Sequence, residues 1–300
     1  MSKRRKQSRT GRVGGQAAGA APSPKVREQF IARPFEGLAD EPEWVALREL
    51  VPAASAPLHV RDDIAGEHGD PSVTVATVLP MAWPAMRKPD GRILLGLQRY
   101  LQSGDPSRDL AAALLAALAS EPGAPVSLPT VPGPGPRLQD VLVDGPLEVT
   151  VHSGFDFWLD GDSGEDAEVK ASLERANASV HPTVRLTSVR SAYWAKVPEK
   201  AHVRWVLPDA EETALRALAR LSAAGTLTLG EHTKFAGMFR AHGLLIPVWD
   251  VPGSATAEEW DAPLGDFSKR YADALADDSP TTPAERRARQ GLVGRQLTLR

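Results

Sequence analysis

Ser72-Val-Thr-Val-Ala-Thr-Val-Leu79 and, past the turn at Pro89-Asp90-Gly91, Arg92-Ile-Leu-Leu-Gly-Leu-Gln98 are the stretches whose reading decides the fold. The first alternates and is rich in β-branched residues, which suits a pleated, half-buried strand; the second reads as another strand. The period then changes. Asp105-Pro106 is a cap followed by a first-position proline, and Leu110, Leu114, Leu115 and Leu118 recur on one helical face. Two strands followed by an amphipathic helix give an α+β chain. Upstream, Asp40 with Pro42 and Glu43 opens a helix bearing Trp44, Leu47 and Val51, which Pro52 ends. Downstream, residues 121–136 carry six prolines and read as an extended loop.

The remainder reads as a second copy. Residues 183–189, Trp194, residues 203–207 and a helix capped by Asp209 with Glu212 repeat the order of residues 73–79, Trp83, residues 92–98 and the helix from Asp105. Phe155-Asp-Phe-Trp-Leu159 reads as a third strand before an acidic loop and a helix around residues 169–177. Leu245-Ile-Pro-Val-Trp-Asp250 stands likewise before a helix capped by Thr256 with Glu259, with Leu264, Phe267, Tyr271 and Leu275 on one face. The expectation is an α+β fold of two tandem strand–strand–helix–strand–helix pseudo-repeats. Its parts are a disordered basic tail at 1–28, an N-terminal helix segment at 29–57, repeats at 58–180 and 181–280, and a basic C-terminal tail at 281–300.

Composition narrows the function classes. The 300 residues contain no cysteine, which removes disulfides, cysteine-ligated metals and cysteine nucleophiles. No apolar run approaches the ~20 residues of a membrane span. The basic N-terminus has no apolar stretch behind it, so the expectation is no secretory signal and a cytoplasmic location. A net charge of −3 conceals an asymmetry. Residues 1–27 hold eight basic side chains and no acid, and residues 281–300 hold five arginines against Glu285. The body between them therefore carries a net −15. Basic ends on an acidic body suit polyanions, because each phosphate contact releases counterions.

Catalytic motifs fail in context. Gly161-Asp-Ser-Gly164 matches the nucleophile segment of chymotrypsin-like proteases, but Glu165-Asp166 follow it and no base segment accompanies it. As a calcium loop the same stretch puts Gly164, Glu165 and Ala171 where a ligand, the turn glycine and a bidentate glutamate belong. None of the seven histidines has metal-ligand spacing, so no metal and no cofactor are expected. The seven tryptophans read mainly as core. Trp83 is the exception, set between Pro80 and Pro84 and followed by Met86-Arg87-Lys88.

Arg33-Pro-Phe-Glu-Gly-Leu38, Thr77-Val-Leu-Pro-Met-Ala-Trp-Pro-Ala85, Arg240-Ala-His-Gly-Leu244 and Glu285-Arg-Arg-Ala-Arg-Gln-Gly-Leu292 resemble an uncharacterised actinobacterial family, a domain of unknown function. Its members are often labelled SEC-C-motif or preprotein-translocase SecA-like proteins, because some carry a zinc-binding cysteine module ahead of this region. This chain departs there, having no cysteine in residues 1–29, so neither the zinc site nor the translocase label has a residue to rest on. Ile246-Pro-Val-Trp249 before a loop and helix bears a fainter resemblance to the SseB-like family, which implies a shared fold grammar.

These readings lead to a non-catalytic cytoplasmic interaction or adaptor protein with an unidentified protein partner. Lys3, Arg4, Arg5, Lys6, Arg286, Arg287 and Arg289 would contact a polyanion such as RNA or the ribosome, and Trp83, Met86 and Arg87 the partner. The rival is an enzyme with a pocket between the repeats, pairing Asp156 or Asp250 with His152 or His242. A protein-translocation factor is the third reading, implied by the family label.

Overall fold

The computed structural model describes residues 30–66, 69–99, 103–124, 126–128, 132–159 and 167–294. Helix α1 (Glu41–Glu49) begins with Pro42 in its first turn, where a missing N–H costs nothing. Asp40 does not cap it. Its backbone is left-handed (φ 56°), and its carboxylate instead accepts from the Leu147 N–H at 2.9 Å and pairs with Arg190.

The first sheet is built from β1 (Ala54–Leu58), β2 (Val73–Val78), β3 (Ala85–Arg87), β4 (Ile93–Gln98) and β5 (Thr150–Val151), in the order β3-β4-β2-β1-β5. Strands β2 and β4 run parallel, with Val75 opposite Leu95; all other neighbours are antiparallel. The short helix α2 (Asp62–Ala65) follows β1. Helix α3 (Pro106–Ala119) starts as the sequence indicates, with the Asp105 carboxylate accepting from the Arg108 N–H at 3.4 Å. Val73, Val75, Ile93, Leu95 and Leu97 point to the face that α3 covers with Leu110, Leu114 and Leu118. The one-turn helix α4 (Leu138–Val141) closes the proline-rich excursion.

Phe155-Asp-Phe-Trp-Leu159 is not a strand. It forms a 3-10 turn at Asp156–Trp158, because its aromatics stack on one another rather than alternate across a sheet. Phe155 and Trp158 lie 4.3 Å apart, and the Trp158 indole donates to the Val78 carbonyl at 2.9 Å. Phe157 and Trp158 thereby cover Ala76, Leu79 and Leu94 on the outer face of the first sheet. Helix α5 (Ala167–Asn177) follows.

The second sheet comprises β6 (Thr183–Arg185), β7 (Ala192–Lys196), β8 (Ala201–Trp205), β9 (Lys234–Ala241) and β10 (Leu244–Val251), ordered β6-β7-β8-β10-β9 and antiparallel throughout. Each half thus supplies one five-stranded sheet, but only the first contains a parallel pair. The strand expected over residues 183–189 ends at Arg185, since the N–H groups of Thr187 and Ser188 donate to Asp261 at 2.8 Å each. Helix α6 (Glu211–Ala223) lacks the expected Asp209 cap, because that carboxylate accepts from the Tyr271 hydroxyl at 2.9 Å. Glu259 does reach back to the Thr256 N–H at 2.7 Å, though at the 3-10 turn that precedes α7 (Asp261–Ala276).

One apolar cluster spans both halves. Phe35, Trp44 and Leu47 lie among Val75, Leu95 and Leu114 of the first half and Phe239, Leu244 and Ile246 of the second. A separate cluster, containing Trp205, Trp249, Phe267 and Leu218, fills the space between the second sheet, α6 and α7. The junction also carries charge. Three acids beside or on α1 each take a partner from the second half: Asp40 takes Arg190 (Nε–Oδ1 3.1 Å), Glu43 takes the Tyr193 hydroxyl and Arg185, and Glu49 takes His242 (2.8 Å). Burial, then the adjacent Glu43 carboxylate, pushes the Tyr193 hydroxyl far above its ordinary pKa. Burial pushes the Glu49 carboxyl up, but the His242 hydrogen bond and the nearby cations outweigh it and hold that carboxyl below its usual range.

The expected basic C-terminal tail is folded over much of its length. Helix α8 (Pro283–Val293) has a complete capping box, with Thr282 Oγ1 accepting from the Glu285 N–H and Glu285 from the Thr282 N–H at 2.7 Å. It packs on α6. Buried Arg220 binds the preceding segment by donating to the Asp277 and Ser279 carbonyls.

Candidate interaction surface

Leu79 and Ala85 are buried anchors at either end of a turn that projects from the first sheet. Between them, Met81 has φ 53° and ψ 21°, and Ala82 has φ 51°. The Trp83 N–H donates to the Pro80 carbonyl at 3.1 Å, which closes a type I′ turn. Asn-Gly ordinarily occupies such a turn, because left-handed backbone costs an L-residue with a Cβ about 1 kcal/mol or more. Here two such residues stand in succession. The turn holds Met81 81% exposed and Trp83 40% exposed.

Gly96 in β4 allows the turn to sit this close. A methyl group there would overlap the Trp83 carbonyl oxygen and lie 3.3 Å from Leu79 Cγ. The Gly96 N–H also donates to the Pro84 carbonyl at 3.0 Å. The turn is therefore a clamped, pre-shaped projection rather than a loose loop.

The other expected partner-binding residues lie differently. Met86 is half-buried against the cluster of Ala76, Leu79 and Leu94. The Arg87 guanidinium donates to the Leu118 carbonyl at 2.8 Å and to Ser120, so it satisfies the orphan carbonyls at the end of α3. Of the expected polyanion contacts, Lys3, Arg4, Arg5 and Lys6 fall outside the described residues, as does the acidic loop at 160–166. Arg286 and Arg287 are exposed on α8, Arg286 donating to the Thr281 carbonyl. Arg289 is paired with Glu212 at 2.7 Å.

The acids and histidines of the rival enzyme reading do not pair as that reading requires. His152 meets Ser55, Asp156 meets Asn177, Asp250 meets Lys200 and His202, and His242 meets Glu49. Burial, then the Arg204 charge, depresses the His202 pKa. A cleft of about 360 Å³ does open at the junction, lined by Phe30, Glu49, Pro106, Arg240 and His242, but neither Asp156 nor Asp250 reaches it. Among the described residues no group of three or more histidine, aspartate or glutamate side chains could hold a metal ion, and no helix is long and apolar enough to cross a membrane.

The sequence model of a family described as of unknown function, DUF5926, matches residues 34–300. The chain belongs to the DUF5926 family. No curated protein and no solved structure matches it. The DUF5926 match takes in both sheets, the turn at Met81 and helix α8. Sequence reasoning reached Trp83 through its bracketing prolines but passed over Met81, whose left-handed backbone no residue type announces. It missed Ser55, Glu43 and Glu49 as well, since their partners lie 97, 150 and 193 residues away.

Proposed function

We propose that this chain is an interaction protein that docks a protein partner through Met81 and Trp83. One observation carries the reading: a type I′ turn built from two residues with side chains, which leaves a methionine and a tryptophan in water. Stored backbone strain together with exposed large apolar groups is what a recognition site retains and a purely structural turn loses. Trp and Met are also favoured at the desolvated centres of interfaces. The basic N-terminal residues, Lys3 to Lys6 among them, and Arg286 and Arg287 on α8 would add salt-sensitive affinity for RNA or the ribosome in the cytoplasm. Arg289, already neutralised, would contribute least.

The double substitution M81N/A82G tests this reading. It supplies the residues the turn geometry favours, so the folded state should gain about 1–2 kcal/mol, read as a higher urea midpoint at unchanged slope. Partner capture at high salt should fall with it. A variant that is no more stable than the wild type, or that keeps its partner, contradicts the proposal. RNA retention should separately fall on removing residues 1–27 and on raising salt.

A further inference from the structure

Ser55 on β1 and His152, the residue following β5, meet on the outer face of the first sheet with Ser55 Oγ 2.8 Å from His152 Nε2. We propose that Ser55 is a nucleophile activated by His152, able to take the acyl group of a small carboxylic ester. The inference goes beyond partner docking and rests on residues separate from Met81 and Trp83.

Backbone pairing fixes the two groups against each other. Ser55 stands opposite Thr150 in the β1–β5 ladder, and the His152 N–H continues that ladder by donating to the Ala53 carbonyl at 2.8 Å. The imidazole is held flat against Phe157, with ring centroids 4.5 Å apart and planes 26° from parallel. The other strand neighbour of Ser55 is Ala76, whose methyl offers the hydroxyl no competing acceptor. Both residues are half-buried and keep some contact with solvent. Burial lowers the His152 pKa, which keeps the ring neutral and able to accept a proton near pH 7. A hydroxyl within hydrogen-bond reach of an imidazole whose ring plane is held by stacking is the nucleophile–base half of the arrangement that nucleophilic catalysis uses.

The chemistry balances with water as the second reactant. Ser55 Oγ forms a bond to the ester carbonyl carbon while its proton passes to His152 Nε2. The C–O bond to the alcohol breaks, and His152 returns the proton to the departing oxygen. Water then attacks the acyl-serine, again through His152, releasing the acid and restoring the hydroxyl.

A fluorophosphonate probe tests this on the folded full chain. The Ser55 Oγ–P bond forms, the P–F bond breaks, fluoride leaves and the serine proton goes to His152. Intact mass should show one adduct per chain, mapped to the peptide containing Ser55, absent from S55A and from urea-unfolded wild type. H152Q, with an unchanged circular dichroism spectrum, should label about a hundredfold more slowly. Absence of a Ser55 adduct on the folded protein, equal labelling of the unfolded chain, or H152Q labelling at the wild-type rate would each overturn the assignment. M81N/A82G should label like the wild type, so failure here is distinguishable from failure of the docking reading.

Discussion

Glu43→Ala should lower stability by about 3–5 kcal/mol, the range found when one member of a buried polar pair is removed. Glu43 is 0% exposed, and its carboxylate receives the Tyr193 hydroxyl and faces Arg185 Nε at 3.4 Å. Its second oxygen is buried with no hydrogen-bond partner, so the site is costly even when intact. Removing the carboxylate strands the Tyr193 hydroxyl in the core that joins the halves. Arg185 keeps a quarter of its side chain in water and can be rehydrated, which places the expected loss toward the lower end of the range. The double variant E43L/Y193F should recover most of the loss, since exchanging both partners for apolar groups removes the unpaired polar atoms. Urea denaturation of the two variants checks this. A Glu43→Ala loss below about 1 kcal/mol would mean the pair is not a structural junction.

Gly96→Ala should cost about 2–3 kcal/mol, at the upper part of what overpacking costs. The added methyl meets the Trp83 carbonyl, which is backbone and cannot rotate away as a side chain would. Relief requires the whole turn to lift from β4, breaking the Gly96–Pro84 hydrogen bond and disturbing the packing of Leu79. Trp83 fluorescence should change with it. A Gly96→Ala protein within about 0.5 kcal/mol of the wild type would show that the turn is not clamped, and the strain reading would lose its support.

The signals the sequence carried faithfully were local ones. Alternation at residues 73–78, the Pro-Asp-Gly turn before β4 and the Asp105 cap of α3 all depend on neighbours a few residues away, and the structure contains each of them. Acids at helix starts misled where a distant partner competed for them. Asp40 is taken by Arg190 and Leu147, and Asp209 by Tyr271. Phe155 and Phe157 alternate along the chain as a strand would, yet the packing of both rings with Trp158 over the first sheet sets the backbone instead. Residues 283–293 looked like a charged tail because the contacts that fix them, from Arg220 and from α6, come from far upstream. The candidate sites divide in the same way. Trp83 could be suspected from its prolines, whereas the Ser55–His152 pair exists only once the β1–β5 ladder has formed.

If Met81 and Trp83 face a partner, a photo-crosslink from this turn captures it. A benzophenone amino acid would be placed at position 83 and, as a control, at exposed Val143, and the full-length protein irradiated in its host cells. One dominant protein adduct should form from position 83, be absent from position 143 and be lost when M81N/A82G is added. The same adducts from both positions, or none from position 83, would overturn docking through this turn.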